Sequence, residues 1–426
     1  MLADLHQAYL DARRHKRNMP YQQRFERNAE QNLSALCDEL LSRSYKPQPS
    51  TCFIISDPKR REVFAAQFRD RIVHHLYYNY VHEMLERTFI ADSYSCIKHR
   101  GTHYGIARLS RHIRRESQNY TVPCYVLKMD IRGYFMHIDR CRLLSITLQQ
   151  LHRMAVHRVG KEGIGRWADH VDMCFVEYLT REIILSDPTV GCRRRGTLLD
   201  WQGLPRAKSL FFSPPGCGIP IGNLTSQLFS NVYLNEFDQF AKRMLRCRRY
   251  GRYVDDFYVV SADQEWLRSL QQPIADFLNS KLGLMVNTSK TRICDVRVGV
   301  EFLGGYLKPR RRYVSNSSLE RMNSKMPCLK NSLSPDELRS RLNSFLGLLS
   351  HYRSYRLRRC LFASLTFVYQ HGYYLQGMSK FVLYPVDSWT QLAYPHDHLL
   401  FGLFRFKNIF RKFGSLGKTS YICRRN

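Results

Sequence analysis

Two adjacent aspartates inside an apolar hairpin constrain this chain more than any other feature. Tyr253-Val254 leads into Asp255-Asp256, and Phe257-Tyr258-Val259-Val260 leads out. Aromatic and β-branched residues on both sides make Tyr250 to Ser261 a hairpin with Asp255-Asp256 at its turn. An acidic pair in a turn is commonly just a solvated loop. Here the ribbon around it is apolar, and like charges side by side at its tip cost stability unless cations neutralise them. Far upstream a second apolar strand, Tyr125-Val126-Leu127-Lys128-Met129, ends at Asp130 and continues into Ile131.

Strands that deliver carboxylates to one point suit hard divalent cations. Magnesium takes oxygen ligands, usually one or two carboxylates completed by phosphate oxygens. Nucleotidyl transfer needs two such ions. One activates the primer 3′-hydroxyl and the other neutralises the triphosphate and the leaving pyrophosphate. The predicted cofactor is therefore a pair of Mg2+ ions, with Mn2+ a possible substitute.

The charge balance agrees. The 426 residues carry 66 Lys and Arg against 36 Asp and Glu, a formal net charge of +30. A globular chain this basic repels itself unless it meets a polyanion, so nucleic acid is the expected partner and an anionic membrane surface the competitor. The longest uncharged run, Cys360 to Ser379, contains Gln370, His371, Gly372 and Gln376 and reads as buried protein structure, not a bilayer span. Thirteen cysteines show no C-x-x-C pair or zinc spacing, and Met1 to Asn18 has no apolar core. Reduced thiols and a cytoplasmic location are expected.

Along the chain, residues 1–50 read as a polar helical extension closing at Lys46-Pro47-Gln48-Pro49. Thr51 to Phe64 reads as a hairpin turning at Asp57-Pro58-Lys59. Phe68, Ile72, Leu76, Tyr80 and Met84 stand at helical spacing. Residues 150–215 read as a long polar connection holding the cluster Arg193-Arg194-Arg195. Ser226 to Leu245 and Trp266 to Leu282 read as helices, Val300 to Gly304 as the start of a strand, and 318–383 as mostly helical. After Asp397 only basic charges remain: Arg405, Lys407, Arg411, Lys412, Lys418, Arg424 and Arg425.

These motifs resemble the reverse transcriptases. Tyr253-Val254-Asp255-Asp256 resembles their YxDD box, and Leu127 to Phe135 their first carboxylate motif. Gly218-Ile219-Pro220-Ile221-Gly222-Asn223 is similar to the loop supporting template and incoming nucleotide. Asn287 to Thr291, with Lys290, resembles the lysine motif, and Phe302-Leu303-Gly304-Gly305-Tyr306 the primer grip. All five stand in the family's order, over roughly residues 50–310. Ile221 to Gln227 is similar, more narrowly, to the IGxxxSQ box of reverse transcriptases from diversity-generating retroelements. So is the linker Trp201 to Phe211, with Leu204-Pro205 and Lys208-Ser209-Leu210. Phe68 to Val73 and Asp92 to Cys96 look like that family's fingers motifs. Ile97 departs from it, standing where a basic residue is common.

The resemblance implies an α+β right-hand polymerase with an antiparallel palm sheet. Fingers would span 51–124, palm 125–312 with a fingers insertion at about 150–215, helical thumb 313–397 and a basic tail 398–426. It implies that Asp130, Asp255 and Asp256 hold the metals, with the Ile131 carbonyl, and that Lys290 serves the leaving pyrophosphate. Lys98, Arg100, Phe135, Ile221 and Gly222 would meet the nucleotide, Phe135 by clashing with a ribose 2′-hydroxyl. Ser226, Gln227, Gly304, Lys308, Arg310 and Arg311 would meet template and primer, with a helix N-cap the alternative for Ser226. It further implies a template RNA, a cDNA or primer strand, dNTPs and a small basic oligomeric accessory variability protein, with error-prone cDNA as product. The competing readings are another prokaryotic reverse transcriptase, of antiviral defence or intron type, and a catalytically silent RNA-binding protein on the same scaffold.

Overall fold

The structure is a computed structural model that describes residues 1–385 apart from 15, 58, 159–164 and 333. The basic tail after Asp397 lies outside the described residues. Contacts divide the chain into two units, Met1–Arg297 and the residues from Val298 onward.

The first unit is built on a four-stranded antiparallel sheet. Its order is Tyr250–Tyr253, Asp256–Ser261, Tyr125–Asp130, Arg292–Asp295. The inner strands are apolar on both faces: Val126, Leu127, Met129, Phe257, Val259 and Val260 are all buried. Such strands need cover, and helices Leu224–Gln239, Gln264–Ser269 and Gln271–Leu282 join the same core. Helix Phe68–Glu86 buries Phe68, Ile72, Leu76 and Met84, as their spacing predicts. Helices Leu2–Arg13 and Ala29–Leu41 pack into that core through Leu5, Ala8, Tyr9, Leu33, Leu36 and Leu40, and Pro20–Glu26 packs against it through the partly buried Tyr21 and Phe25. The hairpin Thr51–Ile55/Arg61–Ala65 forms in the predicted place, and Arg193–Arg194 adds a third, parallel strand at Thr51–Cys52.

The reading of 150–215 as a polar connection misses its helices. Helix Arg140–Ala155 runs into it. Helix Met173–Leu185 follows, with Phe175, Val176, Leu179 and Ile184 buried against that helix and Phe68–Glu86. Its apolar residues recur every three or four positions, and the Asp172 carboxylate accepts from the Phe175 amide at 3.0 Å as N-cap. The polar composition of the surrounding segment hid a helix that its own periodicity shows.

The second unit opens with an antiparallel sheet of Val300–Phe302, Gly305–Lys308 and Arg311–Val314. Helices Asn316–Lys325, Pro335–Ser350 and Tyr355–Phe362 follow. The mostly helical reading needs one correction here. Gly372–Tyr374 and Phe381–Leu383 form a hairpin. A Cβ on Gly372 would stand 2.0 Å from the Val382 carbonyl, so glycine is what lets these backbones meet. The run Cys360 to Ser379 is only partly buried, with Phe362 and Val368 inside and Cys360 exposed. Among the described residues no helix is long and apolar enough to cross a membrane.

Candidate active site at the tip of the sheet

Asp130 is the last residue of its strand and stands in register opposite Asp256, the first residue of the next. Asp255 immediately precedes Asp256 in the turn from Tyr250–Tyr253, and its carbonyl accepts from the Ile131 amide at 3.1 Å. Three carboxylates and the Ile131 backbone therefore share one end of the two central strands. Val254, at φ +54°, enters the left-handed region, a strained conformation for a β-branched residue. The turn is thus held by its surroundings and not by its own preference.

Electrostatics match the crowding. Burial pushes the Asp255 carboxyl up to about 6, and the neighbouring Asp130 adds to that. Burial and Asp130 also raise Asp256, against the pull of Lys128. Lys290 Nζ lies 2.8 Å from Asp130 Oδ2, which also accepts from Asn287 Nδ2 at 3.1 Å. Asp130 outweighs burial and keeps the Lys290 ammonium pKa raised. Among the described residues no group of three or more His, Cys, Asp or Glu side chains is placed to hold a metal ion by itself. An open set of carboxylates and a backbone carbonyl, to be completed by phosphate oxygens, is the donor chemistry that suits Mg2+.

The loop Gly218–Asn223 is tied on both sides. The Gly218 and Ile219 amides donate to the Ile138 and Phe135 carbonyls at 2.8 and 3.0 Å, and the Phe64 amide donates to the Ile221 carbonyl at 2.9 Å. Gly222 has φ +130°, and a Cβ there would stand 2.5 Å from the Phe64 carbonyl. The close approach that demands glycine here is to the Thr51–Ile55/Arg61–Ala65 hairpin. Phe135 and Ile221 are both partly exposed and pack on the small cluster Cys52, Phe64, Met136 and Leu210. Ser226 is the third residue of its helix and is buried, with Gln227 exposed beside it. Asn223 is the N-cap, so the N-cap alternative for Ser226 falls away.

Lys98 is exposed, but Arg100 turns inward, its Nη1 donating to the Ile90 and Ser93 carbonyls at 3.0 and 2.9 Å. Arg100 thus braces its loop. Gly304 and Lys308, with the exposed Arg310 and Arg311, all fall in the second unit, Gly304 and Arg310 at positive-φ turn positions.

Sequence reasoning missed the supports of the turn. Arg252 is fully buried and donates to both oxygens of the fully buried Asp238, at 2.8 and 2.6 Å. Its Nη1 donates to the Val254 carbonyl at 3.1 Å, one residue before Asp255. Burial works to lower the Arg252 pKa, yet Asp238 more than offsets it. Beside a catalytic box an arginine reads as a surface cation. Only the spacing of Asp238 on the buried face of its helix could have hinted at a partner. Arg252→Ala leaves the Asp238 charge buried and unpaired, and a loss of about 3–5 kcal/mol is expected. Thermal and urea unfolding check this; a change under about 1 kcal/mol would show that the pair does not hold the hairpin.

A second network holds the middle of the ribbon, where Tyr258 stands opposite Gly251. Tyr258 Oη lies 3.1 Å from His112 Nδ1 and 2.8 Å from Tyr94 Oη, while Asp92 is paired with Arg108 and Lys242. Burial pushes His112 down to about 4; Asp92 opposes this, and Arg108, Lys242 and Arg249 add to the lowering. The folded state therefore favours neutral His112. The unfolded chain binds the extra proton, so stability is lost as pH falls from about 6.5 towards 4. A loss on the order of 2 kcal/mol by pH 5 is expected from this residue. Urea midpoints at pH 7 and pH 5 should differ less in His112→Gln than in the parent, and an equal difference would remove His112 from the account.

The chain is 26% identical over 316 residues to Protein YkfC of Escherichia coli K12, covering 66% of this chain and 72% of that one. Among solved structures, apo telomerase from Candida tropicalis matches at 12% identity with a TM-score of 0.45, over 75% of this chain and 59% of that one. Candida albicans telomerase with a fragment of telomeric RNA matches at 11% and 0.45, over 75% and 57%. This chain thus spans less than two thirds of those telomerase chains. The family profile described as reverse transcriptase (RNA-dependent DNA polymerase) matches residues 56–307, a span that contains every carboxylate and the lysine just described. The match takes in more than half of the chain, and the chain belongs to the reverse transcriptase family.

Proposed function

We propose that this protein is an RNA-directed DNA polymerase that makes error-prone cDNA from a template-repeat RNA in a diversity-generating retroelement. The observation that carries the polymerase reading is Asp130 opposite Asp256 across the sheet, with Asp255 in the turn and Lys290 at 2.8 Å from Asp130. Asp130, Asp255 and the Ile131 carbonyl would hold Mg2+, with Asp256 nearer the primer terminus. When bound, the ions supply an activated primer hydroxyl and a neutralised triphosphate. Lys290 is held protonated by its carboxylate neighbours, so its Nζ carries a proton and a charge for the departing pyrophosphate. Phe135, partly exposed, would tolerate a deoxyribose and clash with a ribose 2′-hydroxyl. The accessory variability protein would help hold the RNA. An intact carboxylate set disfavours the silent scaffold.

The retroelement reading rests on the Ile221 to Gln227 and Trp201 to Phe211 resemblances. Its cheapest test is the neighbouring DNA: two near-identical repeats differing at adenines are expected, and a gene without such a pair belongs to another reverse transcriptase lineage. Ile221 links that reading to fidelity. Many reverse transcriptases carry glutamine here. A polar contact rejects a misplaced pair by leaving buried groups unpaired, and an apolar wall penalises misfit less. Ile221→Gln should lower misincorporation opposite template adenine more than opposite other bases. Sequencing cDNA made by both enzymes on one RNA checks this, and an unchanged adenine spectrum in an active variant would refute it.

A further inference from the structure

The cluster Arg193-Arg194-Arg195 has no part in the chemistry above, yet the fold spends several contacts on fixing its place. The Arg193 and Arg195 amides donate to the Ser50 and Cys52 carbonyls at 2.9 and 2.8 Å, making a third strand on the fingers hairpin. Downstream, the buried Glu62 carboxylate accepts from Ser209 Oγ at 3.0 Å and the Leu210 amide at 2.7 Å. Arg60 donates to the Gln202 carbonyl. Leu210 enters the cluster on which Phe135 and Ile221 pack. The segment is therefore a fixed part of the unit that holds the carboxylates.

What it presents outward is specific. Residues 193–212 hold five cations, Arg193, Arg194, Arg195, Arg206 and Lys208, against one carboxylate, Asp200. Asp200 is already occupied by the Thr197 amide and hydroxyl, at 2.7 and 2.9 Å. The five cations are all exposed. Arg194 lies 4.0 Å over the Phe211 ring and 5.5 Å over Trp201, and Arg206 lies 5.1 Å over Phe212, which is itself 59% exposed. Planar cations set on aromatic rings, with further free cations on the same strand, combine phosphate contact with flat faces for bases. That is how single strands are held without sequence preference. An acidic protein would meet the charge but has no use for the flat faces.

We infer that residues 193–212 form a docking surface for single-stranded RNA outside the carboxylate centre. This rests on the polymerase reading only in that the chain handles RNA, and binding can be measured with no nucleotide present. The probe is a long uridine-rich RNA, compared with a short RNA–DNA hybrid that has almost no overhang. Replacing Arg193, Arg195 and Arg206 together by alanine should weaken oligouridine binding about tenfold at physiological salt. The log–log salt slope should shrink by about 2, since each neutralised phosphate on a single strand contributes about 0.7. Primer extension on the short hybrid should stay within about twofold. Phe212→Ala, at an exposed position, should weaken oligouridine binding about tenfold with the salt slope unchanged, because stacking releases no counterions. Three results would overturn the inference. One is oligouridine affinity unmoved by the triple change, the outcome expected if an acidic protein is the partner. Another is equal loss on the short hybrid. The third is an unaffected Phe212→Ala, which would leave a merely basic face. Failure of the polymerase reading would show instead as no extension by the parent, with oligouridine binding intact.

Discussion

Asp255→Asn, and separately Asp130→Asn, should reduce primer extension by about a thousandfold or more while RNA binding persists. The amide keeps the shape and removes the charge that draws the cation. The effect should be large because the carboxylates crowd one end of the sheet: Asp130 stands opposite Asp256, and Asp255 immediately precedes Asp256 in the turn from Tyr250–Tyr253 and is raised by burial and by Asp130. At Asp255 asparagine should not harm the fold. Burial and Asp130 already raise Asp255 to about 6, so replacing one carboxylate relieves like-charge crowding. A small gain in unfolding midpoint without divalent ions, paired with lost extension, would separate a metal ligand from a structural aspartate. A variant that extends primers with Mg2+ near the parental rate would remove that residue from the site.

The second large effect concerns the sugar. Phe135→Val should raise incorporation of ribonucleotides relative to deoxynucleotides by roughly 10–100-fold, the usual scale for removing one steric conflict in a fitted pocket. Phe135 is partly exposed and sits beside the Gly218–Asn223 loop, whose Ile219 amide donates to its carbonyl. It also packs on the core, so valine is preferred to alanine to limit the cavity. Competing rNTP and dNTP incorporation on one template gives the ratio. An unchanged ratio in an active variant would assign Phe135 to packing alone.

Much of this centre was legible because its strands announce themselves. Apolar runs ending in Asp130 and turning at Asp255-Asp256 can bury their faces only as inner strands, and the charges then have one place to go. The lysine was legible by order along the chain, and the structure puts its Nζ on Asp130. The supports were not legible. Arg252 and Asp238 find each other across two elements, and no local pattern marks a cation that will be fully buried. Gly222 announced a close approach without naming its partner, which is Phe64. The Met173–Leu185 helix was lost by averaging over a polar stretch, and the Gly372 hairpin because aromatic runs fit helix and strand alike.

The central claim is that these carboxylates make DNA on an RNA template. Its most direct test is extension of a labelled DNA primer on an RNA template by the purified chain with dNTPs and Mg2+. The account predicts templated product of defined length that disappears when the divalent ion is chelated and in Asp255→Asn. A chain that binds the primed RNA tightly yet adds no nucleotide with Mg2+ or Mn2+ would contradict it, and would make the protein an RNA-binding scaffold with a silent site.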